Sequence, residues 1–166
     1  MDTRFFTTAS LLVILLLLSG CWKQDDVISI AKDGAVTFKS TVVITADDLS
    51  FKDVETLSSD YEGDLVRAGW KVQRKWLSKS TPFTLVFTGQ GNLHSVAKVT
   101  EFYEIRKAGA NMLTIMFKSV EGQGGKSSRT IRFQNPSVNE ARIEDERGKE
   151  VTGENVTSDK NYRVIF

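Results

Sequence analysis

Apolar side chains are distributed along this chain in three ways, and each predicts a different element. From residue 5 to residue 20 there is no charge, and residues 11–18 are all aliphatic. Beyond that block the pattern changes to alternation. In 35–45, Val36, Phe38, Val42 and Ile44 fall on one side and Thr37, Lys39, Thr41 and Thr45 on the other. A period of two marks a strand with one wet face. A short strand at 27–30 precedes it, and Asp33-Gly34 supplies the positive-φ turn of a hairpin. The third pattern is helical. Phe51, Val54, Leu57, Tyr61, Leu65 and Ala68 recur at spacings of three and four, predicting a helix over about 50–68. Ser50 with Asp53 forms a capping box at its start, and Gly69 ends it as a left-handed cap.

Alternation then resumes. Residues 70–77 set Trp70, Val72, Arg74 and Trp76 against Lys71, Gln73, Lys75 and Leu77. Pro82 opens a strand in which Phe83, Leu85 and Phe87 alternate with Thr84, Val86 and Thr88, and 89–92 reads as a loop. Residues 93–99 suit a helical turn. A second hairpin joins 102–106 to 112–118, a glycine-rich loop spans 121–128, and strands follow at 129–134, 138–145 and 162–166. The charged segment 144–159 is mostly turn. Hairpins around a single helix give an α+β class: an antiparallel meander of about eight strands with one main helix on a face.

The leading apolar block is shorter than the ~20 residues that span a bilayer and closes on small residues, the form of a secretory signal peptide. Its end, Leu18-Ser19-Gly20-Cys21, resembles the lipobox of bacterial lipoproteins. The resemblance implies cleavage between Gly20 and Cys21, a diacylglycerol on the Cys21 sulfur, and an acylated (palmitate-type) amine. Two or more chains make a stable anchor where one is marginal, at roughly 0.8 kcal/mol per buried methylene. The division is then 1–20 signal peptide, 21–26 lipidated tether and 27–166 one α+β domain. In enteric bacteria Asp after the lipidated Cys retains a lipoprotein in the inner membrane. Trp22 holds that place here, so the resemblance favours the outer membrane, with the domain in the periplasm or at the surface. The layout behind the lipobox also bears some resemblance to the mycobacterial LppM-type lipoprotein domain, in arrangement rather than in any motif.

Composition narrows the chemistry. The formal charge is +1, and Asp2 and Arg4 cancel within the leader, so the mature chain is as neutral as the whole. That disfavours a general polyanion binder, nucleic acid included. Cys21 is the sole cysteine, which leaves no disulfide, no cysteine zinc site and no Cys-X-X-Cys redox pair. His94 is the sole histidine and has no nucleophile or carboxylate partner in its sequence context. No metal, cofactor or catalytic set is expected.

Two stretches invite functional readings. Gly122-Gln123-Gly124-Gly125-Lys126-Ser127-Ser128 looks like a phosphate loop, but Val120 stands where a Walker A glycine belongs. Thr130-Ile131-Arg132-Phe133 then reads as strand where a helix should begin, so a hairpin loop is the reading. Arg67, Lys71, Arg74, Lys75 and Lys79 form the most basic stretch, with Trp70 and Trp76 inside it. Trp70, Lys71, Arg74, Lys75 and Trp76 make a candidate interaction strand, since aromatic plus cation suits headgroups, sugars or a protein. Even spacing of the tryptophans equally suits a core-facing pair with solvated lysines.

The function expected is that of a non-catalytic envelope lipoprotein, held on the membrane through Cys21 and binding a protein or envelope component. An immunity or inhibitor lipoprotein that blocks one enzyme is a narrower version. A lipid or glycolipid binder would need an apolar cavity or the Trp70–Trp76 strand. An envelope hydrolase would need two convergent carboxylates in a cleft.

Overall fold

The first sheet is built on a hairpin: β1 (Trp22–Ile30) pairs along its whole length with β2 (Ala35–Ile44), from Trp22 opposite Ile44 to Ile30 opposite Val36. The computed structural model describes residues 22–46, 48–93, 103–109, 112–117, 128–134, 138–153, 156 and 160–166. The hairpin turns where its sequence predicts. Gly34 has φ 82° and donates its N–H to the Ala31 carbonyl at 2.9 Å. Asp33 Oδ1 accepts from the Ala35 amide, also at 2.9 Å. A positive φ of this kind is what glycine supplies without steric penalty.

Residues 22–26 are therefore not a tether. They look like one because Lys23 to Asp26 are all polar, but alternation sends Gln24 and Asp26 to the inner face, where both are buried. Burial of such groups is tolerable only with partners. The Gln24 amide donates to Asp26 Oδ1 at 2.8 Å and to Ser40 Oγ on β2 at 2.9 Å.

The helix α1 (Phe51–Arg67) follows. The Ser50 side chain accepts from the Asp53 amide at 3.3 Å, and Asp53 Oδ2 accepts from the Ser50 amide at 3.0 Å, so the capping box is complete. Val54 and Leu65 are buried, and Phe51, Leu57, Tyr61 and Ala68 half-buried, along the expected stripe. Gly69, at φ 97°, closes the end, with the Trp70 amide returning to the Leu65 carbonyl at 3.0 Å.

Two further strands, β3 (Lys71–Ser78) and β4 (Phe83–Asn92), form an antiparallel pair that joins the first sheet through β4 and β2. Residues 89–92, expected as a loop, belong to β4. Gly89 is there because the Phe38 ring on β2 covers it and leaves no room for a side chain. The remaining strands are β5 (Tyr103–Gly109), β6 (Met112–Phe117), β7 (Ser128–Phe133), β8 (Arg142–Glu144) and β9 (Asn161–Ile165). Of the strand expected over 138–145 only β8 forms, because 138–139 turn to meet the end of β1. The Lys32 amide donates there to the Asn139 carbonyl at 2.9 Å.

The α+β class and the helix over a sheet face stand, in two sheets ordered β3-β4-β2-β1-β7 and β5-β6-β9-β8. The strand order corrects a simple meander. The helix carries the chain past β2, so β4 rather than β3 lies beside it, and β7 adds parallel to β1. One face of the first sheet holds the interior in two parts. Under the helix, Val42, Ile44, Phe83, Leu85 and Phe87 pack with Val54. Beside them Ile28, Ile30, Val36, Ile131 and Phe133 pack with Ile115, Ile143, Tyr162 and Val164 of the second sheet. Full burial of side chains this size stabilises by roughly 1.5–3 kcal/mol each. The opposite face bears Lys23, Thr37, Lys39, Thr88, Gln90, Lys71, Gln73 and Lys75, all exposed.

Candidate functional site

Strand β3 divides the candidate interaction residues between two faces. Arg74 and Trp76 turn inward with Val72, while Lys71 and Lys75 stand exposed on the other side. Each inward residue is engaged. The Trp76 ring meets Phe51 of the helix edge-on, with centroids 5.0 Å apart. Arg74 clamps the helix: its Nε lies 3.3 Å from Glu62 Oε2, and its Nη1 donates to the Glu55 carbonyl at 3.2 Å, to Ser59 Oγ at 3.0 Å and to Ser58 Oγ. The five residues do not form one surface.

Trp70 differs from Trp76. It precedes β3, is only half-buried, and meets Phe38 edge-on at 5.0 Å. Its indole Nε1 is shielded from solvent and has no hydrogen-bond partner among the described residues. Trp70 also lines a groove of about 900 Å³. Val66, Phe38 and Val72 share its apolar lining. Lys39, Lys71, Gln73, Gln90 and Gln134 supply ammonium and amide groups, and Ser29, Thr37 and Thr88 supply hydroxyls. No carboxylate lies among the described lining residues. A groove of this make-up can receive an extended or amphipathic ligand that presents acceptors to its amides and lysines and an apolar edge to Trp70.

Sequence reasoning placed Trp70 and Lys71 but missed Lys39, Gln73, Gln90 and Gln134. The polar half of the β2 alternation contained the signal. The register that sets Thr37 opposite Gln90, and Gln90 opposite Lys71, did the assembling.

The acids with perturbed protonation lie elsewhere and have structural partners. Hydrogen bonds from the Ser50 hydroxyl, then from the Ser50 amide, hold the Asp53 carboxyl below its ordinary range. The Lys149 amide does the same for Asp145 in a turn, and the Asn161 amide and side chain for Glu146. Among the described residues no cluster of His, Cys, Asp and Glu could hold a metal ion. His94, Cys21 and residues 122–127 of the glycine-rich loop lie outside the described residues. No helix among the described residues is long and apolar enough to cross a membrane.

Trp22, the residue after Cys21, pairs with Ile44 at one end of the first sheet. The groove lies toward the other end of the same strand, at Val27 and Ser29. At about 3.3 Å per residue, that is roughly 20 Å from Trp22.

Comparison with known proteins finds no matching family model, no matching curated protein and no matching solved structure. None of the three bears on the lipobox or on the LppM-type resemblance.

Proposed function

We propose that this protein is a non-catalytic bacterial envelope lipoprotein, acylated at Cys21 and anchored in a membrane, the outer membrane being favoured by Trp22. Its domain binds a protein or envelope component through the groove on the first sheet. The observation that carries the reading is the placement of that groove. It lies about 20 Å along β1 from the residue that follows Cys21, where outward polar residues of the first sheet meet Trp70, Phe38 and Val66. Anchoring keeps the groove at high effective concentration near a partner in the same envelope, so a weak interface suffices.

The half-buried Trp70, whose indole N–H has no partner among the described residues, gives with its apolar neighbours specific support to a second reading in which the partner is a lipid or glycolipid. The filled interior beneath the sheet offers no comparable support, because both halves are occupied by packed side chains.

A photo-crosslinker at Gln90, compared with one at Val138, tests the reading in cells, alongside the mass of the mature N-terminus. Groove-specific adducts are expected from Gln90 in the wild type, with loss of those adducts in Cys21→Ser. A wild-type protein with an unmodified Cys21 removes the basis of the anchoring reading. Identical adducts from Gln90 and Val138 remove the groove.

A further inference from the structure

The chain is close to neutral as a whole, but its charges are not evenly spread. Strands β2, β3 and β4 are neighbours in the first sheet and contain no acidic residue. Their cations are Lys39, Lys71, Arg74 and Lys75. Arg74 is engaged inward by Glu62, whereas the three lysines stand exposed on the outer face. β4 runs between the other two and has no charged residue, so nothing within these strands offsets the lysines. Five acids lie on α1, over the opposite face.

Register arranges the lysines as a triangle. Lys39 is level with Thr88 and, one strand further, with Gln73, which lies midway between Lys71 and Lys75. Four residues of strand part Lys71 from Lys75 by roughly 13 Å, and two strand spacings put Lys39 roughly 10 Å from Gln73. Among the described residues, the acids bordering this face are held by other groups. Asp25 is level with Lys75 but three strands away, roughly 14 Å, and is paired with Arg132 at 2.8 Å. Glu140 accepts the Ser29 hydroxyl at 3.2 Å, Asp33 accepts the Ala35 amide beside Lys32, and Asp64 pairs with Arg67. Screening at about 10 Å leaves the triangle electropositive.

The surface between the lysines is hydroxyl and amide, from Thr37, Thr41, Thr88, Gln73 and Gln90. The centre of a protein interface is built on aromatic anchors and is poor in lysine, and no aromatic side chain stands among these. An acyl chain would need an apolar trough. A run of sugar rings bearing carboxylates is matched instead. Amides and hydroxyls meet its hydroxyls, and spaced ammonium groups meet its anions. Trp70, beside Lys71 at the rim, adds an aromatic surface and an indole N–H with no partner among the described residues.

The geometry points to an acidic polysaccharide as the ligand, lying from Trp70 and Lys71 past Lys39 to Lys75. This rests on the groove reading above and deepens it by naming the class of envelope component bound.

The test titrates the full acylated protein, in phosphatidylcholine vesicles, with a short oligogalacturonate, a neutral oligoglucose of equal length, oligoglutamate and an oligodeoxynucleotide, followed by calorimetry. The oligogalacturonate is expected to bind, more weakly as salt rises, and the neutral sugar to bind far less. Lys39→Gln, Lys71→Gln and Lys75→Gln should each lower its affinity about two- to threefold and together roughly tenfold, the scale of exposed ion pairs. Lys52→Gln, on α1, should change nothing, and circular dichroism should match the wild type throughout. No binding of the oligogalacturonate, equal binding of oligoglutamate or of the oligodeoxynucleotide, or an affinity that survives the triple change overturns the assignment. Groove-specific adducts from Gln90 would then still support the groove, whereas their absence removes the groove itself.

Discussion

Arg74 lies in the most basic stretch of the chain, yet its guanidinium faces a helix. It binds Glu62, a backbone carbonyl and two serine hydroxyls, most of what five N–H donors can reach. Lys75, the next residue, is exposed. Arg74→Ala is therefore expected to lower stability by about 2 kcal/mol, as loss of charge-assisted hydrogen bonds does. Lys75→Ala should stay within about 0.5 kcal/mol, the usual range of surface changes. Urea unfolding of the two variants checks the contrast. Gly89 makes the opposite point, since its value is an absence. A methyl group built there falls inside the Phe38 ring, which Trp70 already hems in edge-on. Gly89→Ala should cost about 1–3 kcal/mol by overpacking, with a change in near-ultraviolet circular dichroism as Phe38 and Trp70 shift. Neither role could be read from the sequence. Arg74 reads as part of an interaction strand and Gly89 as a loop residue, because each is defined by a partner distant along the chain.

At the scale of elements, local chemistry was legible and long-range pairing was not. The turn at Gly34, the box at Ser50 and Asp53, the helical stripe and the alternation of β2 and β3 all depend on residues a few places apart, and all appear in the fold. The parallel union of β1 with β7 joins residues about a hundred positions apart, and no local period encodes it. The start of β1 was misread for a related reason, since its polar residues are compensated by Ser40 across the sheet. The helix cap makes a testable pH statement. The native Asp53 carboxyl sits below its ordinary value of 3.8, mainly through the Ser50 hydroxyl. Its contribution is thus complete above that value and is lost as pH falls through the lowered native one. Ser50→Ala should cost about 1 kcal/mol near neutrality. The stability gap between wild type and Asp53→Ala should narrow in acid, as followed by helical ellipticity during denaturation.

For the whole molecule, the first sheet separates three tasks. Its inner face carries both halves of the interior, the groove lies toward the Val27 and Ser29 end with lining from both faces, and Trp22 pairs at the opposite end. The candidate site was half legible. Trp70 and Lys71 were on the page, while the glutamines and Lys39 were gathered by register alone. The proposed attachment at Cys21 and the proposed recognition at the groove, at opposite ends of one strand, predict separable defects. Trp70→Ala should weaken groove adducts without releasing the protein from membrane fractions, whereas Cys21→Ser should release it into the soluble fraction with its fold intact. Fractionation and circular dichroism read both.

The position of β1 also sets how the domain bears load. It lies inside the sheet, hydrogen-bonded to β2 on one side and β7 on the other. A pull through residue 21, as the proposed acyl anchor would give, loads this strand lengthwise, so both ladders must slide together instead of peeling open one rung at a time. Stretched from its front end in a force spectrometer, the domain should yield abruptly and at higher tension than when it is pulled through the edge strand β3.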